Sequence, residues 1–151
     1  MDKIVGTPWI ITLDSLQNIL NIMDSKLAGE GGVVDLELYS APVSTQFISS
    51  ETNSSPVGVL DIIGPIFPKA NMMTKMSGAT SIEKLQGDFR AMVDNPDVTS
   101  IVLNIDSPGG MSDLIMEMGD EIYNARDKKP IVAVANTVAV SAAYWLGSQA
   151  S

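Results

Sequence analysis

Two short segments of the sequence carry residues that suit chemistry on a carbonyl group. In the first, Ser141 stands between Val140 and Ala142, where an apolar run changes into a helical pattern. A serine at a strand-to-helix junction can present its hydroxyl as a nucleophile, and small neighbours let a substrate main chain approach it closely. A serine that only caps a helix is the common alternative at such a position.

The second segment is Ser107-Pro108-Gly109-Gly110, which follows an apolar strand pattern and precedes a helical one. Because glycine has no Cβ, the main-chain N–H groups of Gly109 and Gly110 can face a ligand directly. Together with the N–H of Ala142, they are candidates for an oxyanion hole. A plain turn between a strand and a helix is the commoner interpretation of a lone Pro-Gly-Gly.

The residues that are missing limit the chemistry further. The chain has no histidine and no cysteine, so it contains neither a Ser-His-Asp triad, nor a cysteine nucleophile, nor a histidine or thiolate metal site. Any hydrolase chemistry must therefore use another base. We expect no metal and no cofactor, because carboxylates near helix starts, such as Asp113 and Glu117, commonly interact with the helix end instead.

Composition and charge restrict the partners and the location. The 151 residues are 45% hydrophobic, which suits one domain with a real core. A net charge of −9 makes nucleic acid and anionic membranes unfavourable partners. The N-terminus does not resemble a signal peptide, and we expect a cytoplasmic protein. The apolar stretch 131–147 predicts a buried strand and helix rather than a membrane span, since Asn136 and Ser141 interrupt it.

The elements that would position both segments alternate between strands and helices. Apolar runs predict strands at 57–63, 100–105 and 131–135, and apolar spacings of three and four predict helices at about 82–93, 112–125 and from Ser141 onward. This order predicts an α/β fold with a parallel sheet covered on both faces. Ligand sites of such sheets lie beyond the carboxyl ends of the strands, so the two segments should meet there.

Residues 1–55 have a different pattern from the rest. A helix capped by Asp14 or Ser15 is expected to end before Gly29, a short strand is expected at 33–38, and Ser/Thr-rich residues 40–55 predict a loop or linker. Residues 68–80 predict a Met-rich loop. We therefore divide the chain into a variable N-terminal region, 1–55, and a main region, 56–151. The apolar face expected for the first helix comprises Leu16, Ile19, Leu20 and Met23.

The main region resembles the signal peptide peptidase A family of serine proteases, and within it the phage head-maturation branch. The resemblance lies in IVLNIDSPGG at 101–110, KPIVA at 129–133 and VSAAYW at 140–145, with support from 78–98. It implies a ClpP/crotonase-like fold and a Ser-Lys dyad. Ser141 would be the nucleophile, and the N–H groups of Gly109, Gly110 and Ala142 would hold the oxyanion.

The same resemblance implies a serine endopeptidase that processes capsid and scaffold proteins during phage head assembly. Its substrates would be peptides or proteins, and it would act in the host cytosol or the prohead. The intact protein would form a homo-oligomer. A catalytically inactive assembly module of the same fold is the alternative function, and an acyl-CoA enzyme of the crotonase superfamily is a more distant one.

The sequence departs from the family pattern in two places. Ala142-Ala143 replaces the Gly-Gly of many members, although small side chains preserve the space. The family's catalytic lysine comes from a segment after the nucleophile helix, whereas this chain ends ten residues after Ser141. Seven lysines are present, and none has the expected position. We therefore expect an N-terminal fragment that is inactive alone; its lysines are Lys3, Lys26, Lys69, Lys75, Lys84, Lys128 and Lys129.

Overall fold

A computed structural model of the chain describes residues 8–27, 46–48, 56–70 and 79–151. Eight strands and four helices lie within these ranges. In chain order they are β1 Trp9–Ile11, α1 Leu13–Leu27, β2 Gln46–Ile48, β3 Val57–Ile63, β4 Ile66–Phe67, β5 Thr80–Ser81, α2 Ile82–Asp94, β6 Ser100–Ser107, β7 Gly109–Met111, α3 Ile115–Ala125, β8 Ile131–Ala139 and α4 Ala142–Gly147.

The larger sheet has the strand order β2-β3-β6-β8. Strands β3, β6 and β8 are parallel, and β2 joins β3 in the antiparallel direction. The predicted α/β fold with parallel strands is confirmed, and β6 and β8 are neighbours as expected. Their carboxyl ends therefore lie side by side at one edge of the sheet.

The core lies on one face of this sheet. Buried residues alternate with half-buried ones along β3 and β6, so each strand buries one face. The expectation that both faces are covered is therefore wrong within the described residues. The second face carries a hydrogen bond from Asn104 Nδ2 to Asp61 Oδ1 (2.8 Å). Its β8 side chains Val132 and Val134 are 51% and 45% exposed.

Helix α2 shows how directly an apolar stripe encodes packing. Ile82, Leu85, Phe89 and Met92 are all buried, at the positions that the spacing predicts. The side chain of Ser81 caps the helix by accepting a hydrogen bond from the Lys84 N–H. Arg90 forms a two-pronged ion pair with Glu121 of α3, and this contact raises the pKa of the guanidinium above its usual value.

A second, smaller sheet has the strand order β1-β7-β4-β5. It has its own apolar cluster, which joins the N-terminal elements to this sheet and includes Ile19, Phe67 and Met111. Thr80 Oγ1 connects it to the larger sheet, since it donates to the Ile63 carbonyl (2.8 Å) and accepts from the Ile63 N–H (2.9 Å). The sequence patterns did not predict β1, β4, β5 or β7.

The N-terminal region differs from its prediction in two places. Helix α1 begins at Leu13, earlier than the predicted cap, and Leu20 is 43% exposed although Ile19 is buried. The predicted linker contains β2, which pairs with β3. The strand expected at 33–38 and residues 71–78 of the Met-rich loop lie outside the described residues. The division at residue 55 remains a prediction, although β1 and β2 both pair with strands of the main region.

The last third of the chain keeps the predicted order with shifted boundaries. Helix α3 begins at Ile115 rather than 112, because Leu114 has a left-handed backbone (φ 65°). The apolar stretch 131–147 divides into β8, which is nine residues long, and α4, which is six. Within the described ranges, no helix has the length and apolar character that a membrane crossing requires.

Candidate active site

Ser141 has an unusual backbone conformation. It connects β8 to α4 with φ 60° and ψ −124°, and among the described residues only Leu114 is another non-glycine with positive φ. This region of backbone space suits glycine, so a serine there is strained by about 1–3 kcal/mol. A sharp, strained strand-to-helix turn is the device that presents a nucleophilic serine in α/β-hydrolases.

The carboxyl ends of β6 and β8 are joined directly beneath this turn. Val140 N–H donates to the Ser107 carbonyl (3.3 Å), and Val138 N–H donates to Asp106 Oδ1 (3.3 Å). The register between the two strands shifts here, so that Ser107 aligns with Ala139. These contacts place Ser141 beside the Pro-Gly-Gly segment, on the neighbouring strand end that the sequence predicted.

The position of Gly109 shows how close the two segments are. A Cβ atom built on Gly109 would lie 2.8 Å from Ser141 Cβ and 3.1 Å from the Ala142 nitrogen. Gly109 also has φ 93°, a conformation that favours glycine. The structure therefore brings together Ser141, Gly109 and Ala142, and the absence of a side chain at Gly109 is what allows it.

Ser107 fixes the orientation of the glycine segment. Its side chain is fully buried, donates to the Gly64 carbonyl (2.6 Å) and accepts from the Gly109 N–H (3.2 Å). The Gly109 N–H therefore donates to Ser107, and its role in holding an oxyanion stays a prediction. Sequence reasoning treated Ser107 only as part of a turn, although a polar residue at the end of a buried strand was a signal for such a role.

Gly110 lies even closer to a neighbouring main chain. A Cβ atom on this residue would be 2.0 Å from the Ile66 carbonyl oxygen and 2.5 Å from the Ile66 nitrogen. Strand β7 is thus pressed against β4 on one side, and β1 pairs with its other side.

Three of the described lysines are engaged or located away from Ser141. Lys129 Nζ donates to the carbonyl oxygens of Met92 and Asn95 at the end of α2. Lys84 forms an ion pair with Asp88 (3.4 Å), and Lys128 lines a surface depression between α2 and α3. Lys128 and Lys129 precede β8, so they lie at the opposite end of that strand from Ser141.

The acidic residues near the site have structural contacts or lie apart. Asp106 accepts the hydrogen bond from Val138 N–H described above. Within the part of the chain that the structure describes, no group of three or more acidic side chains is arranged to hold a metal ion.

The strained turn makes a prediction about stability. We expect Ser141→Gly to raise the free energy of unfolding by about 1 kcal/mol, because relief of backbone strain exceeds the entropy cost of glycine. Ser141→Ala keeps the strain and should change stability by less than about 0.5 kcal/mol. Urea unfolding of both variants measures the difference. A destabilised Ser141→Gly variant would contradict the strained geometry.

Comparisons with known proteins give two curated relatives. Over 95 residues, 63% of this chain, the sequence is 32% identical to Head-tail preconnector protein GP5 of Enterobacteria phage P21. Over the same length it is 32% identical to Capsid assembly protease C of Escherichia phage lambda. The aligned part spans 19% and 22% of these relatives, so the chain covers about a fifth of their length. No protein-family model matches the chain.

Proposed function

We propose that this chain carries the nucleophile half of a serine endopeptidase active site, with Ser141 as the nucleophile. The observation that supports the proposal most strongly is the strained Ser141 turn whose Cβ lies against Gly109. A plain helix cap would require neither the strain nor this contact. The similarity to a phage capsid assembly protease agrees with a peptidase.

In the proposed mechanism, Ser141 Oγ attacks the carbonyl carbon of a peptide bond while a base takes its proton. The N–H groups of Ala142 and Gly110 stabilise the oxyanion that forms, and Gly109 leaves the room for it. Ala142 stands at the first position of α4, where an amide has no partner within the helix. The C–N bond then breaks, the amine leaves with the proton, and water hydrolyses the acyl-enzyme.

The base in this proposal is a lysine other than Lys84, Lys128 and Lys129. Lys84 and Lys129 are held by other contacts, Lys128 lies at the opposite end of β8 from Ser141, and histidine does not occur in the chain. A lysine acts as a base only when burial lowers its pKa, so it must come from a segment that closes over the site. The resemblance to signal peptide peptidase A proteases, with their ClpP/crotonase-like fold, supports a Ser-Lys pair.

We further propose that the substrates are capsid or scaffold proteins of a phage head. The names of the two relatives, a capsid assembly protease and a head-tail preconnector protein, support this assignment. A homo-oligomer within the prohead, or in the cytoplasm of the host, is the proposed assembly. The negative net charge argues against nucleic acid as the substrate.

A fluorophosphonate probe tests the nucleophile. The probe should be added to this chain and to the natural polypeptide that contains it, including any residues that its gene encodes beyond position 151. We expect stable labelling of the larger polypeptide, complete loss of labelling in Ser141→Ala, and unchanged labelling in Ser148→Ala. Ser148 is the matched control, because it is an exposed serine at the C-terminal end of the same helix, α4.

A second candidate function is an inactive assembly module of the same fold. The exposed valines of β8 favour it, because an apolar surface of this kind suits contact with another protein. Absence of labelling in a folded larger polypeptide would support this function and reject the protease.

A further inference from the structure

The edge of β7 beside Ser141 is already occupied by a peptide, the chain's own segment 8–12. Strand β1 pairs with β7 in the antiparallel direction, with Ile10 opposite Gly110 and Ile11 opposite Gly109. We propose that this edge binds extended polypeptide main chain, and that segment 8–12 is an internal pseudosubstrate that must leave before a substrate can enter. The proposal rests on the proposed function, since it assigns the substrate class and the regulation of the same site.

The hydrogen bonds of the segment define its alignment. Thr12 N–H donates to the Pro108 carbonyl (3.3 Å), and Ser112 N–H donates to the Pro8 carbonyl (3.2 Å). Bonded and non-bonded pairs alternate along an antiparallel ladder. The Ile10–Gly110 pair lies two residues from each of these bonded pairs, so it is itself a hydrogen-bonded pair of the ladder. The N–H of Gly110 therefore faces the Ile10 carbonyl, as an oxyanion donor would face a substrate.

The Ile10 carbonyl oxygen is also close to the proposed nucleophile. It lies 2.5 Å from the point where a Gly109 Cβ would stand, and Ser141 Cβ and the Ala142 nitrogen lie 2.8 and 3.1 Å from that same point. The Ile10 carbonyl oxygen, Ser141 Cβ and the Ala142 nitrogen therefore all border the same small space beside Gly109.

The apolar contacts of the segment lie with the smaller of the two apolar clusters. Trp9 contacts Phe67 edge-to-face (ring centroids 5.8 Å apart), and Trp9 and Ile11 pack on the small apolar cluster of the second sheet. The main core, which includes Leu103, Ile105 and Ala142, has no residue of β1 or α1. The Ile10 side chain is 43% exposed, so the segment is held at this residue mainly through its main chain.

A single introduced thiol tests the proposal without requiring catalysis. The natural chain has no cysteine, so Ser141→Cys gives one reactive group at the site. In this background Ile10→Pro removes the main-chain N–H at the centre of the pairing, whereas Ile10→Ala keeps it. We expect Ile10→Pro to accelerate alkylation of the introduced thiol by iodoacetamide about tenfold, the effect of weakening the segment by about 1.4 kcal/mol, and Ile10→Ala to change it less than twofold.

A second thiol, introduced in a separate variant, controls for loss of the overall fold. Ser148→Cys should react at the same rate with and without Ile10→Pro. A synthetic peptide with the sequence of residues 6–14 should slow alkylation of the thiol at position 141 when Ile10→Pro is present. An equal alkylation rate at position 141 in the proline and alanine variants would overturn the proposal. Since alkylation needs no activated serine, this result is independent of fluorophosphonate labelling.

Amide hydrogen exchange of the natural chain tests the release of segment 8–12 without any substitution. If segment 8–12 leaves the edge of β7 reversibly, the amides of Gly110 and Ser112 should exchange with solvent at least about ten times faster than the amide of Leu103 in the main sheet. Protection of Gly110 equal to that of Leu103 would show that β1 is a permanent part of the fold, and would reject the pseudosubstrate even if Ile10→Pro unfolds the chain.

Discussion

Replacement of Ser141 by alanine is expected to lower kcat/KM for peptide cleavage by a factor of about 10³ or more in the polypeptide that carries the complete site. In the proposed mechanism the hydroxyl supplies the atom that forms the covalent intermediate. Alanine retains the Cβ that contacts Gly109, so the turn should persist. Cleavage of a capsid or scaffold protein, followed by gel densitometry, measures the loss.

The matched variant for this prediction is Ser148→Ala. Ser148 Oγ donates to the Trp145 carbonyl (2.7 Å) on the exposed side of the C-terminal segment. Its loss should leave cleavage within about twofold, because removal of an exposed hydroxyl has little energetic effect. A Ser141→Ala variant that still cleaves at more than about a tenth of the natural rate would exclude Ser141 as the nucleophile.

Replacement of Gly110 by alanine is expected to lower the free energy of unfolding by about 3–5 kcal/mol. The added Cβ would stand 2.0 Å from the Ile66 carbonyl oxygen, and a main-chain atom cannot move aside as the end of a flexible side chain can. Strands β4 and β7 would have to separate. Since a domain of this size is stabilised by only about 5–15 kcal/mol, thermal unfolding should show a large decrease in Tm.

Gly87→Ala is the matched control for this effect. Gly87 lies in α2, and a Cβ built there meets no atom within 4 Å. Alanine should therefore stabilise the helix by about 0.5–1 kcal/mol, because it has the higher helix propensity. If Gly110→Ala unfolded at the same temperature as the natural chain, the close approach of β7 to β4 would be refuted.

The parts of the fold that sequence could predict are those with a repeating pattern. Helix α2 has its four buried residues where the apolar spacing places them, because helical geometry projects positions three and four apart onto one face. The meeting of Ser141 with Gly109 was predictable for a related reason. Two parallel strands in sequence are usually neighbours, so residues just past their carboxyl ends share one edge.

The parts that sequence could not predict depend on very short or very distant pairings. Strands β4 and β5 have two residues each, too few for an alternating pattern to appear. The pairing of β1 with β7 joins residues about a hundred positions apart, as in the Ser112–Pro8 contact. The redirection of the Gly109 N–H to Ser107 depends on side-chain geometry that no residue spacing encodes.

We propose that Ser141 is a nucleophile presented beside main-chain oxyanion donors. The most direct test of this proposal is peptide mass mapping of the natural polypeptide after reaction with the fluorophosphonate. We expect one phosphonyl adduct, on the peptide that contains Ser141, and no adduct on Ser107 or Ser148. An adduct on any other serine of a folded and proteolytically active sample, with Ser141 unmodified, would contradict it.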